Sequence, residues 1–160
     1  MSYTNADGLY VLTHKDQGEV LLQGVTASSP RQSLVLDFDL TKVGTTFGAS
    51  NINPNNPFIP AGSVILTATV VMTTPATSGG TPTLNIGTYN AAGTAIDADG
   101  FDAAVALTAL NGAGETVRCD GAHLTTAGYL SANAYVGLVR SATTYTAGAG
   151  KLIIEFVKVV

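Results

Sequence analysis

In 160 residues the chain has one cysteine, Cys119, and no tryptophan. A single thiol closes no intramolecular disulfide, so a disulfide-stapled secreted module is excluded. Lys and Arg together number only 7, and they are scattered. Displacing counterions from phosphates needs clustered cations, so nucleic acid is not expected as a partner. Polybasic attraction to an anionic membrane fails for the same reason. No apolar run approaches the ~20 residues of a membrane-spanning helix. The N-terminal stretch MSYTNADGLYVLTHKDQ has neither a basic region nor an apolar stretch of secretory type, so synthesis in a cytoplasm is expected.

Charge is scarce as well. Charged residues make up 11% of the chain and net charge is −4, against about 25% charged residues in average proteins. The surface must therefore be built from Thr, Ser, Ala, Gly and Asn, which hydrogen-bond without carrying charge. Hydrophobic residues reach 46%, with 18 Gly and 6 Pro punctuating them. This is the composition of short strands and many turns, in a chain long enough to bury one core.

Residues 1–32 are polar apart from Leu9 to Leu12 and Val20 to Leu22, and are expected to form an N-terminal arm with short strands. A β-sandwich domain is expected over 33–160. In SLVLDFDL, Leu34, Leu36, Phe38 and Leu40 alternate with Ser33, Val35, Asp37 and Asp39, the period of a half-buried strand. The Pro- and Asn-rich stretch from Gly44 to Pro60 is a loop, pinned by Phe47, Ile52, Phe58 and Ile59 onto a core edge or a partner. Ser63 to Thr73 is a strongly β-branched strand. With the turn Pro75 to Pro82 and the strand Thr83 to Tyr89 it reads as a hairpin. Phe101 to Leu110 fits either a helix or a strand. Strands are expected at Glu115 to Cys119, Leu124 to Leu130, Ala134 to Ser141 and Lys151 to Val159, with a turn at Thr146 to Gly150. About eight short strands with regular turn signals predict an all-β antiparallel β-sandwich of jelly-roll type.

Few residues invite chemistry. His14 and His123 are the only histidines. Cys119, Asp120 and His123 lie close in sequence, but no third group is placed to orient a base. A buried Cys119 and a turn histidine are the simpler expectation. Asp97, Asp99 and Asp102 around Gly100 form a candidate calcium site, lacking the remaining ligands of an EF-hand. Asp37 and Asp39 are expected to be solvated or paired with Lys or Arg across strands rather than to act on glycosides. Phe47, Phe58 and Tyr145 are expected as rim or self-association residues. No cofactor and no enzymatic activity are expected.

Five short pieces occur in order: Thr4-Asn-Ala-Asp-Gly-Leu9, Ile59-Pro-Ala-Gly-Ser-Val64, Thr81-Pro-Thr-Leu-Asn-Ile-Gly87, Gly112-Ala-Gly-Glu-Thr116 and Tyr145-Thr-Ala-Gly148. In that order the chain resembles the capsid decoration or cement proteins of tailed bacteriophages, especially marine phages. The resemblance implies a structural virion protein on the outer capsid surface. It implies non-covalent binding to the major capsid protein lattice, and a homotrimer. Tyr3, Leu9, Tyr10 and Leu12 of the arm would be the capsid-contact residues. The polar stretch His14 to Glu19 departs from the resemblance. The alternative is a receptor- or glycan-binding module of a phage tail or fibre, meeting its ligand through the tips Pro75 to Pro82 and Thr143 to Gly150.

Overall fold

The computed structural model describes residues 2–4, 10–12, 31–52 and 56–159. Leu9 and the apolar run Val20 to Leu22, both expected in the arm, lie outside the described residues. The chain separates into two units, Met1–Pro30 and Arg31–Val160. In the first, β1 (Ser2–Thr4) and β2 (Tyr10–Leu12) pair antiparallel, with Tyr3 opposite Val11.

The second unit holds β3 (Gln32–Asp39), β4 (Phe58–Ile59), β5 (Ser63–Ser78), β6 (Thr83–Tyr89), β7 (Ala95–Ala106), β8 (Thr116–Arg118), a one-turn α1 (Ala122–Thr125), β9 (Tyr129–Leu130), β10 (Ala134–Arg140) and β11 (Tyr145–Lys158). One sheet runs β4-β10-β6-β7, the other β3-β11-β5-β8, and β9 also pairs with β5. Leaving β9 aside as a short addition, the remaining strands are eight in number. The first pairs the last, β3 with β11, and the second pairs the next to last, β4 with β10. β5 pairs β8, and β6 pairs β7. This is one long antiparallel ribbon folded into two layers. The rolled edges are joined by β11 on β5 and β10 on β6. Such a strand order defines a jelly roll.

Alternation places the core between the layers. Leu34, Leu36 and Phe38 on β3, Leu152 and Ile154 on β11, and Ala68, Val70 and Met72 on β5 belong to one inner face. Leu84 and Ile86 on β6 face them from the other sheet, each fully buried. A buried side chain of this kind contributes about 1.5–3 kcal/mol.

Three sequence expectations change here, and one left open between helix and strand is decided. β5 and β6 do not form a hairpin, because β5 lies in one sheet and β6 in the other. Rolling the ribbon sends successive strands across the sandwich. Phe101 to Leu110 is strand to Ala106 and then a short 3-10 helix, Leu107–Ala109. Its helical spacing comes from a β-bulge. Asp102 and Val105, three apart, stand opposite Ile86 and Leu84, two apart. Ala104 absorbs the extra residue with φ 54, and its N–H donates to the Asn85 side chain at 2.8 Å. Leu124 to Leu130 holds the end of α1 and the two-residue β9 instead of a continuous strand. Thr146 to Gly150 lies within β11 and is a bulged strand, not a turn. Gly148 has φ 135 there, and any side chain on it would meet Leu40 and Ala76.

Candidate functional site

His123 on α1 is 4% exposed. Its Nδ1 lies 3.1 Å from the Ala127 carbonyl and its Nε2 2.9 Å from the Thr88 hydroxyl. A carbonyl only accepts, so in the neutral ring Nδ1–H donates to Ala127 and the Thr88 hydroxyl donates to Nε2. The ring meets Phe101 edge-on at 5.4 Å. It fills space left by Gly100, where a Cβ would lie 2.5 Å from it. Nε2 ties α1 to Thr88 of the opposite sheet, while Nδ1 holds the ring on its own turn.

Cys119 is buried beside Asp102. Burial and the neighbouring Asp102 carboxylate push its thiol up to about 12, so it stays protonated and poorly nucleophilic. Asp102 is itself 8% exposed, and burial, reinforced by the Asp120 charge, raises its carboxyl above the ordinary value. These groups are a buried polar patch, not an assembled nucleophile and base.

The calcium candidate does not assemble. Among the described residues no three His, Cys, Asp or Glu side chains gather around one position. Asp97 turns its carboxylate onto the Asp99 N–H at 3.4 Å, while Asp102 is drawn into the interior. The bulges of β7 aim these carboxylates in different directions, which spacing alone does not reveal. Asp37 and Asp39 form ion pairs. Asp37 meets Lys151 across the β3–β11 ladder, and Asp39 meets Lys42 while accepting from the Thr41 N–H and hydroxyl.

The three rim candidates divide. Phe47 stacks on Tyr89 with ring centroids 4.4 Å apart, on the outer face of the β4-β10-β6-β7 sheet. Gly137 makes room for this pair, since a Cβ there would come within 2.5 Å of Tyr89 and 2.8 Å of Phe47. The loop carrying Phe47 is tied down further by Arg140, whose Nε donates to the Val43 carbonyl at 2.9 Å. Phe58 packs at 5.6 Å on Tyr135 and remains 41% exposed, an apolar spot at the sheet edge. Tyr145 is not a rim residue: it is 1% exposed and belongs to the core. A tyrosine beside an expected turn looks exposed in sequence, but the turn is strand, and strand alternation points this ring inward.

The tips suggested for a glycan are paired with each other along β5 and β11. The Ser78 hydroxyl donates to the Thr144 carbonyl at 2.8 Å, and the Thr77 and Thr146 hydroxyls lie 2.8 Å apart. One small cavity of about 230 Å³ opens between β5, β8 and α1, lined by Leu66, Ala68, Cys119 and Leu124 among others. Its size is below the ~300–1,000 Å³ usual for small-molecule sites. The described residues also offer faces and edges: the Phe58–Tyr135 spot, the ion-paired outer face of β3 and β11, and the strand edges. Sequence reasoning missed the Tyr89–Gly137 seat for Phe47 and the inter-sheet bond of His123. Neither leaves a local signal, because both depend on cross-strand register.

No family model matches the chain, and no curated protein matches it in sequence. Solved structures do match in shape. A chain of the structure described as the capsid of Ralstonia phage GP4 superposes with a TM-score of 0.52 at 15% identity, covering 82% of this chain and 86% of that one. A chain of the cyanophage Pam1 capsid asymmetric unit superposes with a TM-score of 0.57 at 17% identity, covering 91% and 96%. The fold is one found in bacteriophage capsids. Each superposition covers most of both chains, so the likeness extends over most of the fold and is not confined to one hairpin or sheet.

Proposed function

We propose that this chain is a structural virion protein of a tailed bacteriophage. It decorates or cements the capsid shell from its outer surface, binding the major capsid protein lattice non-covalently, as a homotrimer. The observation that carries the reading is the likeness, over most of the fold, to chains of two phage capsids. The composition fits: few basic residues leave few trypsin sites, and an almost uncharged surface packs against copies and neighbours with little desolvation of charge. The role needs no catalysis, and His123 and Cys119 are committed to the interior. Attachment is assigned to the N-terminal arm, with Tyr3, Leu9, Tyr10 and Leu12 as the contacting side chains. Many equivalent arm contacts around a shell make removal slow by avidity.

The test mixes the protein with empty capsid shells and sediments them. The full chain is expected to co-sediment to a saturable stoichiometry, with a native mass that is a multiple of three chains by light scattering. Deleting Met1 to Thr13 is expected to abolish binding and leave the β-sheet circular dichroism unchanged. A deletion variant that still saturates shells overturns the arm assignment. A full chain that ignores shells and binds glycans instead assigns the protein to a tail or fibre.

A further inference from the structure

The two sheets have four outer edges, and three are blunted. β4 is two residues long, and the β8 edge, continued by β9, is built of three and two. β7 is longer but is broken by three register shifts, carries Asp97 and Asp99, and has the Ala104 N–H capped by the Asn85 side chain. Short length, bulges and charge are the usual protections against edge-to-edge pairing. β3 carries Asp37 and Asp39 but is neither short nor bulged. It is eight residues long, pairs with β11 without a register shift, and contains no proline and no lysine. No described strand pairs with its outer side. Midway along it, Val35 is 49% exposed.

The β3 sequence is complementary to itself. Turn one copy antiparallel to another with Val35 facing Val35 of the second copy. Ser33 then stands opposite Asp37 of the second copy, and Arg31 opposite its Asp39. Directly opposed residues share a face, so the inward Leu34 meets Leu36 of the second copy and both cores stay covered. No like charges oppose each other. Within the single chain Arg31 reaches Glu155 at 3.5 Å and Asp39 holds Lys42, so each end carries an ion pair and facing Arg31 to Asp39 of the second copy extends these pairs without placing like charges opposite. A one-residue slip would set inward side chains against outward ones, which fixes the parity of this register.

We propose that β3 pairs with β3 of a second copy about a two-fold axis through Val35, joining two five-stranded sheets into one. The contact goes beyond the shell-binding reading and does not depend on it. It joins copies pairwise, whether these are single chains or members of neighbouring trimers. Being isologous, it is used up between two single chains, and three such contacts between two facing trimers close a set of six, so it does not propagate into fibres.

The test is site-directed cross-linking of the full chain. Opposed Cα atoms in an antiparallel pair lie about 4.5–5.5 Å apart, within the roughly 4.4–6.8 Å a disulfide spans. Under mild oxidation Val35→Cys is expected to give a covalent dimer as the main product and no higher ladder. Ser33→Cys and Asp37→Cys, equally placed on the edge but not facing themselves, are expected to give at least tenfold less. The double variant Ser33→Cys/Asp37→Cys is expected to restore the dimer. Cys119 is buried and does not compete. Val35→Lys is expected to halve the native mass with unchanged circular dichroism. Cross-linking of Ser33→Cys as efficient as that of Val35→Cys overturns the register. The absence of any Val35→Cys dimer overturns the pairing and gives the edge to another occupant, the chain's own N-terminal segment or a different protein.

Discussion

Thr88→Val isolates the bond that ties the β8–β9 connection to the opposite sheet. Valine keeps the shape of threonine, so packing around the 0% exposed Thr88 changes little. What is lost is the hydroxyl 2.9 Å from His123 Nε2. The ring cannot turn to find another donor, because Nδ1 is held by Ala127 and the ring face presses on Gly100. A buried acceptor left without a partner costs about 1–3 kcal/mol. At roughly 2–4 °C per kcal/mol for a chain of this length, the thermal midpoint should fall by roughly 2–12 °C. Urea denaturation should show a lower midpoint with an unchanged slope. Thr88→Ser, which keeps the donor, should recover most of the loss. The decisive assay is a double-mutant cycle with His123→Ala. Once the ring is gone, Thr88→Val should cost almost nothing, giving a coupling of about 1 kcal/mol or more. Costs that add to within about 0.5 kcal/mol would refute the inter-sheet bond as a source of stability.

Two further predictions test the interior. The Tyr145 hydroxyl is buried without a protein partner among the described residues. Tyr145→Phe should therefore be neutral or stabilising by up to about 1 kcal/mol, while Tyr145→Ala should cost about 3–5 kcal/mol; equal losses in chemical denaturation would argue for a bound partner of the hydroxyl. Asp102 is held above its ordinary 3.8, mainly by burial and then by Asp120. The folded state thus holds this proton more tightly than the unfolded one, and the contribution of Asp102 is lost as pH rises from 3.8 through its raised value. Asp102→Asn, which still accepts from Cys119, should gain stability over the native chain as pH increases across that window; an advantage that instead shrinks with pH refutes the assignment.

Alternation carries much of the fold. Leu34, Leu36 and Phe38 mark the inner face of β3 by their spacing alone, as Val70 and Met72 do for β5. What alternation lacks is partnership. Ser63 to Tyr89 has all the signs of a hairpin, two β-branched runs around PATSGGTP, yet its halves lie in different sheets. Turn residues permit a change of direction without stating whether the next strand returns beside the last or crosses the core. Glycine and proline mislead in a second way. Pro75 lies inside β5 and Gly148 inside β11, at the stretch where the β5–β11 register shifts. The same residues that end strands also permit bulges. Reading them as turns shortens both strands and places Tyr145 on the rim.

The misplaced site residues share that cause. Asp97, Asp99 and Asp102 look like one constellation only if the backbone between them is a compact turn. In β7 they lie on an extended strand with repeated bulges, and the carboxylates separate. Phe47, in contrast, is legible as an anchor because a large apolar ring in an Asn- and Pro-rich loop must cover something; its seat on Tyr89 over Gly137 is not, since it needs the pairing of Tyr135 with Tyr89 and of Gly137 with Gly87. The β3 edge shows the same division. Its pattern marks an inner and an outer face but not which strands lie beside it. Only the sheet order shows that a long, straight strand ends the sheet with an exposed valine at its centre and an ion pair at each end. In a chain this poor in charge, that arrangement is the one edge among the described strands whose own chemistry names a partner.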